Sequence, residues 1–185
     1  MYKSFEMSYF NAPITNKVPS GTVMLKDVAR LVSSNWLEPQ TRALRAIVDE
    51  TEARNYKGRA FPYVTPAGTF TYCRDASLVS HSGLLCMDLD KIDDVDGLKC
   101  RLIADRLFRT KMVFRSPSGN GLKWFLAIDL AKCSHEQWFT AVRNYLMQEY
   151  GLSEKQADPA VRNVSRACYL CCDPEVYVNI GTDDK

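Results

Sequence analysis

Apolar residues recur along this chain with two periods. KSFEMSYF alternates, which sets Phe5, Met7 and Tyr9 on one face of a first strand. A turn-rich link follows, NAPITNKVPSGT. Leu25, Val28, Leu31 and Val32 have helical spacing, and Leu44, Ile47, Val48 and Thr51 repeat it after Pro39, a residue suited to a helix start. These runs predict a helical pair over residues 24–55. FPYVTPAGTFTYCR is aromatic and β-like around a Pro-Ala-Gly turn and predicts a hairpin.

Residues 82–90 read as a buried strand, and 94–108 as a helix with Leu98, Leu102 and Leu107 inward and Asp93 or Asp94 as N-cap. KMVFRS and LKWFLAID are strands joined by a Gly-Asn-Gly turn. Ser134 and Gln137 form a capping box for a helix that ends near Gly151. Its buried stripe is Trp138 or Phe139, Val142, Tyr145 and Leu146. RACYLCC and EVYVNI read as short late strands. The fold class is therefore α+β: a mostly antiparallel or mixed sheet with helices on one face, plus an N-terminal helical and hairpin elaboration.

Composition narrows the setting. The 185 residues suit one domain, 1–185, with an N-terminal part over 1–56 and a core over 57–185. No stretch approaches the roughly 20 apolar residues that span a membrane, and the first residues show no signal-peptide pattern. Seven scattered cysteines argue against a secreted disulfide framework and for a reducing cytoplasm. Net charge is only +2, so its distribution matters more. Lys57, Arg59 and Arg74 flank one segment; Lys111, Arg115 and Lys123 flank another; Arg162 and Arg166 come late. This is a split phosphate-binding surface or an ordinary solvated one. The closing VNIGTDDK is polar and leads us to expect a longer protein.

Candidate chemistry centres on SGLLCMDLDK, residues 82–91. In a strand Asp88 and Asp90 point the same way, about 7 Å apart at Cα. Two such carboxylates repel, and a divalent cation removes the conflict; Mg²⁺ or Mn²⁺ would bind here with phosphates completing the shell. The plainer alternative is a solvated acidic turn. An EF-hand is excluded, because Ile92 falls where a loop starting at Asp88 needs an oxygen ligand. In RSPSGNGLKWF, Gly119 and Gly121 allow backbone N–H groups to form an anion nest, Ser116 and Ser118 add hydroxyls, and Arg115 and Lys123 flank the turn. These are parts of a phosphate cradle, or of a plain hairpin. They do not match the P-loop pattern, since no helix follows. ADPAVRNVSR offers Asp158, Arg162 and Arg166 as further carboxylate and arginines.

An aspartate pair on a strand, a small-residue turn, and a later aspartate followed by an arginine resemble the archaeo-eukaryotic primase (primase-polymerase) superfamily. More narrowly, KGRAFPYVTPAGTF, SGLLCMDLDKIDD, FRSPSGNGLKWF and ADPAVRNVSRACYLCCDPEVYVN resemble the VirE N-terminal-like domain of Bacteroidetes mobile-element proteins. The resemblance implies an RRM-like sheet backed by helices. It implies Asp88, Asp90 and Asp158 as catalytic metal ligands for Mg²⁺ or Mn²⁺, and Ser118 and Gly119 close to a triphosphate. It implies Arg166 facing phosphate or template. The superfamily's phosphate-contacting histidine falls on Lys123, which holds phosphate as a point charge but is no near-neutral proton donor. The implied activity is metal-dependent nucleotidyl transfer on a single-stranded DNA or RNA template with a nucleoside triphosphate, within a mobile-element replication protein that also carries a helicase-like or other replication domain.

Two other readings use the same residues. One is a non-catalytic single-stranded nucleic-acid-binding module derived from a primase fold; the other is a metal-dependent nuclease. Lys57 and Arg59 are candidate template-backbone contacts. Tyr63, Phe70, Tyr72 and Trp124 either stack bases or fill a core. Cys168 and Cys171, with Cys172, Cys133 and His135 nearby in sequence, read as small buried hydrophobes more readily than as a zinc site. His81 and His135 receive no role.

Overall fold

The computed structural model describes residues 5–179, in which alternation and helical spacing settle into two four-stranded antiparallel sheets, a two-stranded one and five α-helices. The first sheet runs β2 (Gly21–Met24), β1 (Glu6–Phe10), β3 (Tyr63–Thr65), β9 (Cys168–Tyr169). The second runs β10 (Tyr177–Val178), β7 (Thr110–Arg115), β8 (Leu122–Ala127), β6 (Leu84–Leu89). β4 (Gly68–Phe70) pairs with β5 (Leu78–His81). The helices are α1 (Leu25–Ser33), α2 (Glu38–Ala46), α3 (Glu50–Ala60), α4 (Val95–Ile103) and α5 (His135–Glu149). β6, α4 and β7 form a split β-α-β unit, with β8 paired between the two strands.

The second sheet is buried on both faces. On one, Leu85, Met87 and Leu89 of β6 and Leu122, Trp124 and Leu126 of β8 meet Leu98 and Leu102 of α4 and Phe139, Val142 and Leu146 of α5. Trp124 anchors this layer by donating from Nε1 to Thr110 Oγ1 at 2.7 Å, and Thr110 passes its own hydrogen to Leu102 O at 2.6 Å. On the other face Leu84, Met112, Phe114 and Phe125 meet α1 and the first sheet through Val28, Val32, Met7, Val64 and Cys168. Burying each leucine- or phenylalanine-sized side chain contributes about 1.5–3 kcal/mol. The α+β class, the antiparallel strands and the capping box of α5 agree with the sequence.

Local chemistry redraws several boundaries. The helical pair expected over 24–55 is three helices. Ser34 accepts the Trp36 N–H and starts a short 3-10 turn, while Asp49 caps α3 by accepting the Glu52 N–H at 2.7 Å. Val48, expected within the helical spacing of the second helix, is 96% exposed between α2 and α3. Part of the expected link is strand β2. The Pro-Ala-Gly turn exists, yet its strands part: β3 joins β1 and β9, and β4 joins β5. The helix expected over 94–108 stops at Ile103, because Asp105 Oδ1 accepts the Leu107 and Phe108 N–H groups, and Leu107 turns to solvent. Residues 3–4 of the expected first strand and 180–185 of the polar end lie outside the described residues. Among the described residues no helix is long and apolar enough to cross a membrane.

Candidate phosphate site between the sheets

Alternation decides what reaches this site. Leu84, Cys86 and Asp88 share one face of β6, and Phe125 and Lys123 share the matching face of β8, where Asp88 stands directly opposite Lys123. The apolar cover from the first sheet ends at Cys86 and Phe125. Beyond it opens a small, partly open pocket lined by Cys86, Asp88, Lys123, Pro66, Ala67 and Arg166 among others.

Lys123 Nζ makes an ion pair with Asp88 Oδ1. Only 7% of the lysine side chain and 16% of the aspartate side chain are exposed. Oδ1 makes no further hydrogen bond among the described residues. Burial by itself would lower the pKa of Lys123; the Asp88 charge, with help from Asp90, more than offsets this and holds the ammonium above its ordinary range. Asp90 sits exposed at the strand exit, yet its carboxyl group is crowded by protein and repelled by Asp88, which together raise its pKa against the pull of Lys123, Lys57 and Arg166. Lys57 reaches the same place from α3, with Nζ 5.6 Å from the centre of the Tyr169 ring. Burial and then the Lys123 charge lower its pKa, and Asp90 and Asp88 partly restore it.

The strand exit is clamped from two sides. The Asp90 N–H donates to Gln156 O at 3.1 Å, and the Ile92 N–H donates to Asn120 O at 2.9 Å. Lys91 takes a left-handed φ of 56°, and its carbonyl accepts from Gln156 Nε2 at 3.1 Å. Gly121 has to be glycine, because a Cβ there would lie 2.1 Å from Leu89 O. The 116–121 turn is itself gripped by Arg45 of α2, which donates from Nε to Pro117 O at 3.2 Å and from Nη2 to Ser116 O at 3.3 Å.

The structure therefore brings together Asp88, Asp90, Lys123, Lys57 and Arg166, with Gly121 against Asp90. Other expected site residues stand elsewhere. Arg115 pairs with Asp96 and donates from Nη1 to Gly119 O at 3.0 Å, so it ties the turn to α4. The Gly119 N–H donates to Ser116 O at 2.9 Å within the turn. Ser118 is exposed, and Ser116 Oγ is buried without a hydrogen-bond partner among the described residues. Arg59 is exposed and lies over the Tyr56 ring. Asp158 is exposed and does not join the aspartate pair as a third donor: among the described residues no three His, Cys, Asp or Glu side chains converge as metal ligands. All seven cysteines are free thiols.

As a seat for Mg²⁺ or Mn²⁺ the site does not fit in this arrangement. Asp88 already has a buried ammonium as its counterion, and the expected third carboxylate does not converge with it. Sequence reasoning missed Arg45, which belongs to no motif, and the His81–His135 pair, joined at 3.0 Å between residues far apart in the chain. Tyr63 and Trp124 are core residues, fully enclosed.

Residues 55–178 match the family described as BT4734-like, N-terminal domain. The match spans more than half of the chain, and the chain belongs to that family. No curated protein and no solved structure matches it.

Proposed function

We propose that this domain binds phosphate of a nucleoside triphosphate or of single-stranded DNA or RNA in the cavity between its sheets, as a non-catalytic module derived from an RRM-like primase fold. The observation that carries this reading is the gathering of Lys57, Lys123 and Arg166, from three separate stretches, around one acidic pair and one open cavity. Lysine and arginine offer a phosphate point charge and fork. Lys57 is held where its protonated form is disfavoured, so an incoming phosphate relieves it. The split β-α-β unit supports the RRM-like part of the reading, and free thiols support a cytoplasmic setting. A mobile-element replication protein with a helicase-like domain after this one rests on the resemblance.

A second reading, metal-dependent nucleotidyl transfer of primase-polymerase type, is favoured by Asp88 and Asp90 sharing one strand exit. It requires the Lys123 ammonium to leave Asp88.

The test is titration of a nucleoside triphosphate by calorimetry and of a labelled single strand by anisotropy. Binding should weaken with salt between about 50 and 200 mM, and Lys57→Ala and Arg166→Ala should each lower affinity about 5- to 10-fold while flattening the salt slope by about one. A folded wild-type chain that binds neither ligand at low salt, with or without Mn²⁺, overturns the proposal. Nucleotide addition to a primed template in Mn²⁺ would move the assignment to the second reading.

A further inference from the structure

We infer that Lys123 is the resident cation of this site: its ammonium stands against Asp88 where a divalent ion would have to bind, so phosphate is taken without a bridging metal, and removing the lysine turns the site into a divalent-cation site. The inference deepens the phosphate-site reading by assigning what neutralises its carboxylates.

Three observations carry it. First, a carboxylate as enclosed as Asp88 must be neutralised by a proton, a metal or a cationic side chain. Here the Lys123 ammonium does so, from a strand register that six successive β6–β8 pairs fix. Lys123 is not a surface lysine that swings away, since 7% of its side chain is exposed and its neighbours on β8 are core residues. Second, Lys57 and Arg166 add their charges to that of Lys123, so three cations already face two carboxylates. A dication entering there is repelled by all three. Third, nothing on the cavity wall compensates. Asp158 does not converge on the pair, and the neighbouring sulfurs, Cys86 and Cys168, stand beside each other as free thiols, with burial disfavouring the Cys86 thiolate. Without the ammonium the balance reverses: Asp88 keeps its enclosed, unbonded Oδ1, Asp90 shares its face, and hard oxygen donors of this kind select Mg²⁺ or Mn²⁺.

The probe is Mn²⁺ alone, followed by the loss of its free-ion paramagnetic signal, on the full chain at neutral pH. The wild type should leave the signal unchanged. Lys123→Gln should bind about one equivalent at least 10-fold more tightly than the wild type, and Lys123→Gln/Asp88→Asn should return to the wild-type level. Circular dichroism checks each fold. If Lys123→Gln unfolds in the absence of metal, its refolding by Mn²⁺ supports the inference, and Lys123→His, neutral at pH 8, repeats the titration. Wild-type binding of Mn²⁺ that disappears in Asp88→Asn overturns it, as do folded Lys123→Gln and Lys123→His proteins as indifferent to Mn²⁺ as the wild type. Should neither variant fold under any condition, the wild type decides alone: Asp88-dependent binding of Mn²⁺ overturns the inference and its absence supports it. Because no nucleotide is present, a chain that fails to bind nucleotide overturns the proposed function and leaves this result to stand separately.

Discussion

The two faces of the β6–β8 strand pair are built from alternate residues of the same ten-odd positions, yet they differ in kind. Facing α4 and α5, the apolar ladder runs to the strand ends: Leu85, Met87 and Leu89 on one strand, Leu126, Trp124 and Leu122 on the other. Facing the first sheet, the ladder stops one step early. Leu84 and Cys86 beside Phe125 give way to Asp88 beside Lys123, and there the cavity opens. The helix-covered face thus fixes the register, since a slip of one residue would push Asp88 and Lys123 into that core and expose Met87 and Trp124. One face supplies stability and position; the other can then hold charges in a site that would be costly to form by itself.

The largest effect should come from breaking the charged step of the second face. Lys123→Met leaves Asp88 enclosed without its counterion, and we expect a loss of about 3 kcal/mol in urea unfolding at pH 7. Lys123→Met/Asp88→Asn removes both charges and should recover more than half of that loss. If Lys123→Met proves silent, the pair is solvated and the two faces do not differ as described.

Much of this contrast can be read along the chain, because period-2 alternation is a local property. It places Asp88 and Asp90 on one face and shows the strand as buried. Likewise, the capping box of α5 needs only Ser134 and Gln137, three residues apart. What could not be read depends on partners distant in sequence. Lys123 looks like a free phosphate ligand until the β6–β8 register sets it opposite Asp88. Arg115 looks like part of a cradle until Asp96 on α4 claims it. The strands on either side of the Pro-Ala-Gly turn have the pattern of a hairpin, but β1 and β9 compete for β3 and win. Asp105 ends α4 early through two local hydrogen bonds, a turn signal that the leucine periodicity conceals.

A second, part-buried pair, His81 and His135, sharpens the comparison. His81 Nδ1 accepts the Gly83 N–H at 2.9 Å, so its Nε2 carries the hydrogen and donates to His135 Nδ1 at 3.0 Å. Protonating His135 would set two N–H groups against each other. Burial, and then the neighbouring His81 charge, lower the His135 pKa from 6.5 to about 4, against the opposing pull of Asp75. The unfolded chain then binds a proton at pH values where the folded one does not, so stability falls as pH drops from 6.5 towards 4. The expected loss across that window is on the order of 2 kcal/mol. Urea midpoints measured from pH 7 to pH 4.5 should decline, and His135→Asn should flatten the slope. An unchanged slope in that variant would mean that the acid sensitivity lies in other groups. Lys123, whose pKa is raised, keeps its charge throughout this window.

The smallest effect tests how the turn beside the charged face is held. Arg45 donates to Pro117 O and Ser116 O from the surface of α2, and its guanidinium packs where a Cβ on Gly119 would come within 3.1 Å of Nε. Arg45→Ala gives those carbonyls to water, so the cost should be about 1 kcal/mol or less. Its signature should instead be local: faster amide exchange at Ser116 and Gly119, whose N–H groups close the turn onto Gly121 O and Ser116 O. Gly119→Ala should cost more, about 1–2 kcal/mol, because φ is +85° there and the new methyl group also meets Arg45. Combining the two changes separates these causes. If crowding by Arg45 contributes, the double variant loses less than the sum of the single ones; if backbone strain is the whole effect, the losses add. The first result would show that α2, outside every motif in the chain, sets the shape of the turn that flanks Asp90.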